Sequence, residues 1–205
     1  VGHSMGSLIV RAYLKKFSNE VNAVVLSGSP SDNQLASFGK RLIRFMALFR
    51  GWNYRSPMIE KMVNGPFEKP FMKEGIVNAW ICSDRDVVEE YNKDPLCGVT
   101  FTLNGYYALF SLIQTVYSKL GWSKKNRDLP VMFVSGENDP CRQGDKAFKK
   151  AVLHFKHCGF PNTFSKVYKG MRHEVFNEKN ASEVYEDILK FLEIKAGIED
   201  IRYQD

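Results

Sequence analysis

The chain has 205 residues, with 29 Lys and Arg against 23 Asp and Glu for a net charge of +6, and it is 44% hydrophobic and 13% aromatic. That length and composition suit one folded domain with a sizeable core and exclude a disordered chain. The basic residues are scattered, with no arginine-rich run or nucleic-acid motif, so they mark a solvated surface with a weak attraction to anionic membranes and exclude nucleic acid as a partner.

The first element is Gly2-His3-Ser4-Met5-Gly6, a G-x-S-x-G nucleophile elbow. The motif places a serine on a sharp strand-to-helix turn, and both glycines are expected where a Cβ would be crowded out. Residues 7–17 then read as a helix with Leu8, Ala12 and the stretch from Leu14 to Phe17 inward. Residues 23–28 are a short apolar run with the look of a buried parallel strand. From about 31 to 128 the chain changes character. It is rich in aromatics and Met, and it reads as a mostly helical insertion. Leu35, Phe38, Leu42, Phe45 and Phe49 form one amphipathic stripe. A second helix spans about 106–120, and Gly65-Pro66 and Asp94-Pro95 are expected breaks. The uncharged stretch 95–118 is too polar for a membrane span. Core structure resumes with a strand at 131–136, a helix with Phe148, Ala151, Val152 and Phe155 inward that stops at Gly159, and a strand at 163–168. A last helix starts at Asn180 and Glu183, carries Val184, Ile188, Leu189 and Leu192 inside, and ends near Gly197. Strands alternating with helices imply a parallel α/β sheet. Three strand candidates, their apolar sequences implying burial on both faces, are few for such a sheet, so the chain is expected to be the C-terminal part of a longer fold.

A nucleophilic serine needs a base, and the base needs an orienting acid. The order Ser, Asp or Glu, His is present at strand ends: Ser4, then Asp139 after the 131–136 strand, then His173 after the 163–168 strand. Glu137, earlier in the same turn as Asp139, is the reserve acid. His3 is expected to pack or bond locally, and His154 and His157 to lie on a surface. The backbone N–H of Met5 is the expected oxyanion donor. Cys82, Cys97, Cys141 and Cys158 form no C-x-x-C pair, which removes zinc-ribbon and thioredoxin-like readings and makes a reduced, cytoplasmic setting the default. No metal or organic cofactor is expected.

Three stretches, 2–7, 135–140 and 172–178, together resemble the lysophospholipase and monoacylglycerol lipase group of α/β-hydrolases, which is grouped with serine aminopeptidase-like proteins. The Arg172-His173-Glu174-x-x-Asn177-Glu178 stretch is the most specific of these, and Asp94-Pro95-Leu96-Cys97-Gly98 is similar to a lid segment. The resemblance runs from residue 1 to about 197 and implies a parallel sheet with helices on both faces and a helical lid. The predicted elements, in chain order, divide the chain into core at 1–30, a helical lid insertion at 31–128 and core at 129–205. The resemblance implies that Ser4, Asp139 and His173 hydrolyse a small monoacyl ester, a lysophospholipid or monoacylglycerol, over an apolar pocket. It also implies that the first strands and a second oxyanion donor are missing. The open alternatives are an amidase or aminopeptidase, whose amine-binding carboxylates would come from Glu60, Glu68, Glu74, Asp84, Asp86, Glu89 and Glu90, and a non-catalytic fragment.

Overall fold

The computed structural model describes residues 1–33 and 35–196. Four parallel strands, β1 (Gly2–His3), β2 (Val24–Ser27), β3 (Val131–Gly136) and β4 (Thr163–Tyr168), lie side by side in that order. Val24 pairs with Val131, and Val131 with Thr163. The helices are α1 (Met5–Phe17), α2 (Ala36–Arg50), α3 (Pro57–Glu68), α4 (Arg85–Lys93), α5 (Leu103–Tyr117), α6 (Gly144–His157) and α7 (Ala181–Ala196). The expected end of the last helix at Gly197 lies outside the described residues.

Strand residues alternate between two faces, so each run feeds two cores. Val24, Leu26, Val131 and Phe133 pack with Leu14 of α1 and with Phe148, Val152 and Phe155 of α6. Val25, Met132 and Val134 pack on the other face with Val184, Ile188 and Phe191 of α7. β2 and β3 are buried along their whole length, as central parallel strands covered on both faces must be. β4 is an edge strand with Phe164 and Val167 partly exposed, so burial on both faces fails there. The elbow supplies a fourth strand, only two residues long, beyond the three expected.

Residues 31–128 add α2 to α5 and no strand to the sheet. They build their own apolar cluster around Ile43, Ile59, Leu103, Tyr106 and Phe110, which meets the core at Leu8. Helix period alone misplaced the face of α2. Its buried residues are Ala36, Gly39, Ile43 and Ala47, while Leu35, Phe38, Phe45 and Phe49 of the expected stripe are exposed. The reason is close approach: a Cβ on Gly39 would stand 2.5 Å from Phe110 Cε2, so the small residues pack against α5 and the aromatics face outward. Phe17 and Leu189 are likewise exposed, and Phe191 takes the inward place on α7. Gly65-Pro66 does not break its helix; Pro66 sits inside α3, which passes three residues later into a 3-10 turn from Lys69 to Glu74. Asp94-Pro95 does follow the end of α4.

α1 ties this helical layer to the sheet with two buried cations. Lys15 Nζ donates to the carbonyls of Thr115 at 2.7 Å and Ser118 at 3.3 Å, satisfying orphan acceptors at the end of α5. Arg11 is fully buried over the Tyr117 ring at 4.5 Å, and the Tyr117 hydroxyl donates to the Pro30 carbonyl at 2.8 Å. His154, expected on a surface, is half-buried with Nε2 3.2 Å from the Val116 carbonyl.

Candidate active site

Ser4 stands between β1 and α1 at φ 50° and ψ −122°, a backbone region that residues with a Cβ avoid. Its N–H donates to the Ser27 carbonyl at 2.9 Å, which holds the turn to the end of β2. A Cβ on Gly2 would lie 2.8 Å from the Gly6 carbonyl oxygen and from Val10 Cγ2, so strand and helix touch there. A Cβ on Gly6 would meet nothing within 4 Å, so crowding requires glycine at the first position only. Met5 is the first residue of α1, where a backbone N–H has no intrahelical acceptor.

Asp139 follows β3 and His173 follows β4, and the structure brings them together. His173 Nδ1 lies 3.0 Å from Asp139 Oδ1. A carboxylate only accepts, so Nδ1 carries the proton and Nε2 is left with a lone pair. The same Oδ1 accepts the Cys141 N–H at 2.9 Å, and Oδ2 accepts the Ser135 hydroxyl at 3.1 Å. Burial opposes a charge on Asp139, but the His173 imidazole and these donors hold its carboxyl below the ordinary carboxylate range. Burial alone would push His173 down; its buried neighbours Cys141 and Asp139 outweigh it and hold the imidazole well above its ordinary value. Glu137 is exposed, and its carboxylate accepts the Gly170 N–H at 3.0 Å.

The Ser4 hydroxyl makes no hydrogen bond among the described residues. His3 lies beside it with its ring 4.7 Å from the His173 ring and Nδ1 3.3 Å from Ser27 Oγ. Burial, and then the neighbouring His173, lower the His3 pKa to about 4, with Asp139 working the other way. Gly28, at φ 54°, gives both rings room: a Cβ there would stand 2.9 Å from His173 Cε1 and 3.1 Å from His3 Cε1. At Gly136 a Cβ would stand 2.1 Å from the Arg172 carbonyl oxygen, so the acid strand and the base loop meet backbone to backbone.

Trp80 carried no signal in the sequence, while Arg172 and Glu178 stood in a recognised stretch without their partners being legible. Trp80, from the helical layer, has its ring 4.9 Å from His173, and its carbonyl accepts the His173 N–H at 3.4 Å. Arg172 donates to the carbonyls of Ala79 and Cys82, and buried Glu178 accepts the N–H groups of Arg172 at 2.7 Å and Ser83 at 3.0 Å. The Arg-His-Glu-x-x-Asn-Glu stretch therefore fastens residues 79–83 onto the base loop. Ser4, Met5, Cys141 and Gln143, together with Phe67, Trp80, Tyr106, Phe110 and Ile113 of the helical layer, line a cavity of about 820 Å³. That volume suits a small organic ligand. Asp139 and His173 sit behind this wall and are almost fully buried. Of the seven carboxylates named for amine binding, Glu60 alone lines the cavity. Glu68 accepts the Asn78 N–H, Glu74 pairs with Arg172 and Glu89 with Arg85. Asp139, Cys141 and His173 are the one group among the described residues whose donor atoms could hold a metal ion, all within 4.8 Å of one another.

The family model described as serine aminopeptidase, S33, matches residues 1–180. Solved structures share the fold. A thermostable carboxyl esterase from Bacillus coagulans, crystallised with glycerol, superposes with a TM-score of 0.78 at 22% identity, over 95% of this chain and 64% of its own. A monoacylglycerol lipase from Paleococcus ferrophilus gives 0.65 at 18% identity, over 93% and 66%. A soluble variant of monoglyceride lipase from Saccharomyces cerevisiae, bound to a substrate analogue, gives 0.66 at 20% identity, over 94% and 63%. The chain thus spans just under two thirds of the length of these structures. No match was found among curated proteins.

Proposed function

The chain belongs to the serine aminopeptidase S33 family, with the α/β-hydrolase fold, and on that premise we propose that it carries the chemistry of a serine carboxylic-ester hydrolase acting on monoacyl lipids. Ser4 attacks the ester carbonyl, His173 Nε2 takes its proton and returns it to the leaving alcohol, and Asp139 holds the imidazole in the right tautomer. The Met5 N–H faces the oxyanion, and water releases the acyl group. The observation that carries this reading is the buried Asp139–His173 pair at 3.0 Å behind a cavity that Ser4 opens into.

The helical layer is the lid of this reading, and its aromatic and aliphatic wall suits one acyl chain. The outer face of α2 supports contact with an anionic membrane surface. Phe45, Leu48 and Phe49 are exposed there among Arg41, Arg44 and Arg50, and no acidic residue occurs between Asp32 and Glu60. The cysteine pattern favours a cytoplasmic setting, and among the described residues no helix is long and apolar enough to cross a membrane. Glu60 in the cavity wall supports a second reading, hydrolysis of aminoacyl amides with the free amine held by that carboxylate.

The test compares kcat/KM for glycerol and p-nitrophenyl esters of increasing acyl length with that for aminoacyl amides. Each buried CH₂ contributes about 0.8 kcal/mol, so kcat/KM is expected to climb roughly fourfold per added carbon until the cavity is full. Faster turnover of aminoacyl amides, lost on Glu60→Gln, would favour the second reading instead.

A further inference from the structure

The hydrolase reading uses Asp139 and His173 but leaves the Cys141 side chain without a part. Cys141 is almost fully buried, yet it lines the cavity, so a small ion in the cavity can reach it. Its sulfur, one His173 ring nitrogen and one Asp139 oxygen lie within 4.8 Å of one another. Zinc binds nitrogen at about 2.0–2.1 Å, oxygen at about 2.0–2.2 Å and sulfur at about 2.3 Å in a tetrahedron, which sets neighbouring donor atoms roughly 3.3–3.6 Å apart. Asp139 Oδ1 and His173 Nδ1, at 3.0 Å, already stand close to such an edge, so only a short side-chain shift brings the third donor in. One thiolate, one carboxylate and one imidazole balance the two positive charges of the ion, which a buried site requires. The mixed sulfur, nitrogen and oxygen set suits Zn²⁺ over Mg²⁺ or Ca²⁺.

We propose that Asp139, Cys141 and His173 form an inhibitory site for a thiophilic divalent cation, Zn²⁺ in particular, which switches the enzyme off by capturing its base. Binding releases the Cys141 thiol proton to solvent and forms a metal–sulfur bond. If the ion takes His173 Nε2, the lone pair that would accept the Ser4 proton is gone. If it takes Nδ1, the Nδ1 proton moves to Nε2, with the same result. That the ion binds rests on the donor geometry alone; that binding inhibits rests on the hydrolase reading above.

The experiment titrates Cd²⁺ and then Zn²⁺ into the reduced chain. Cd²⁺ binding is followed by the ultraviolet cadmium–thiolate charge-transfer band, Zn²⁺ binding by competition for that band, and the site's reactivity by the rate at which a fluorophosphonate labels Ser4. One ion per chain is expected at the site, with labelling slowed at least tenfold and restored by EDTA. Cys141→Ala should remove the band and the metal effect on labelling, and Cys97→Ala should keep both. His173→Gln leaves the thiol in place and should weaken Cd²⁺ by at least roughly tenfold, the scale of losing even an outer partner of a metal site. Melting curves on each variant separate loss of the site from loss of the fold, and Cys141→Ser replaces Cys141→Ala if the latter does not fold. A band that survives loss of Cys141, or an affinity unchanged by His173→Gln, overturns the site. Ser4 labelling that is absent with and without metal sinks the hydrolase reading, while the band still decides whether the ion binds.

Discussion

At the scale of single residues, Asp139 and His173 are coupled through one hydrogen bond, and its worth in the proposed mechanism can be read from two carboxylates in one turn. Asp139 bonds His173 and Glu137 does not. Asp139→Asn is expected to cost far more activity than Glu137→Gln, on the order of the 10⁴-fold loss that the wrong imidazole tautomer brings. Equal losses would return the acid role to Glu137. In the proposed mechanism His173 acts as base only when neutral, so activity should rise with pH through a His173 pKa that lies above 6.5. Asp139→Asn should move that limb to lower pH while lowering its plateau, and a limb that stays in place would show that Asp139 does not set the imidazole's basicity. His3 gives a stability test of opposite sign. Its folded pKa of about 4 lies below its ordinary 6.5, so between these values the unfolded chain binds more protons. Its contribution is complete above pH 6.5 and is lost as pH falls towards 4, by up to about 3 kcal/mol. Urea unfolding of His3→Asn should show a flatter loss over that window; an unchanged slope would mean that His3 charges freely in the fold.

At the scale of elements, α2 faces two ways for two reasons. Its small residues let α5 come close, and its large ones are left outside among arginines. A cationic helix with an apolar outer face binds anionic interfaces through both terms. The chain is therefore expected to pellet with vesicles containing phosphatidylglycerol and less with phosphatidylcholine alone, with binding weakened by salt. Phe45→Glu with Phe49→Glu should abolish it without a change in melting temperature, since neither ring is part of the core. Undiminished binding by that variant would place the membrane contact elsewhere.

At the scale of the whole molecule, the sheet is asymmetric. Among the described residues its outer strands are β4, partly exposed at Phe164 and Val167, and β1, only two residues long. Next to β1, the outer face of α1 exposes Ile9, Tyr13 and Phe17. Unpaired backbone beside apolar side chains invites association. Residues 1–205 alone are expected to self-associate in a concentration-dependent way, and Ile9→Glu with Tyr13→Glu to suppress it. Sedimentation velocity decides this: a single monomer boundary at all concentrations would show that this edge is protected.

The sequence by itself determined three of the four strands and the chain order of the candidate catalytic residues. Strand runs such as 131–136 are legible as short continuous apolar runs closed by turn signals at Gly and Asp, which depend on neighbouring residues alone. The same locality made Ser4, Asp139 and His173 legible as an ordered set. What only tertiary structure decided is that Asp139 and His173 pair at 3.0 Å and what surrounds them. The period of α2 gave a helix but not its inward face, because Gly39 and Phe110, 71 residues apart, settle that by contact. Likewise Trp80 against His173, Arg172 and Glu178 fastened to residues 79–83, and Cys141 beside the acid and the base are contacts between distant segments. No spacing along the chain encodes them; they exist because parallel strands bring their carboxyl ends, and the loops that follow, to one edge of the sheet.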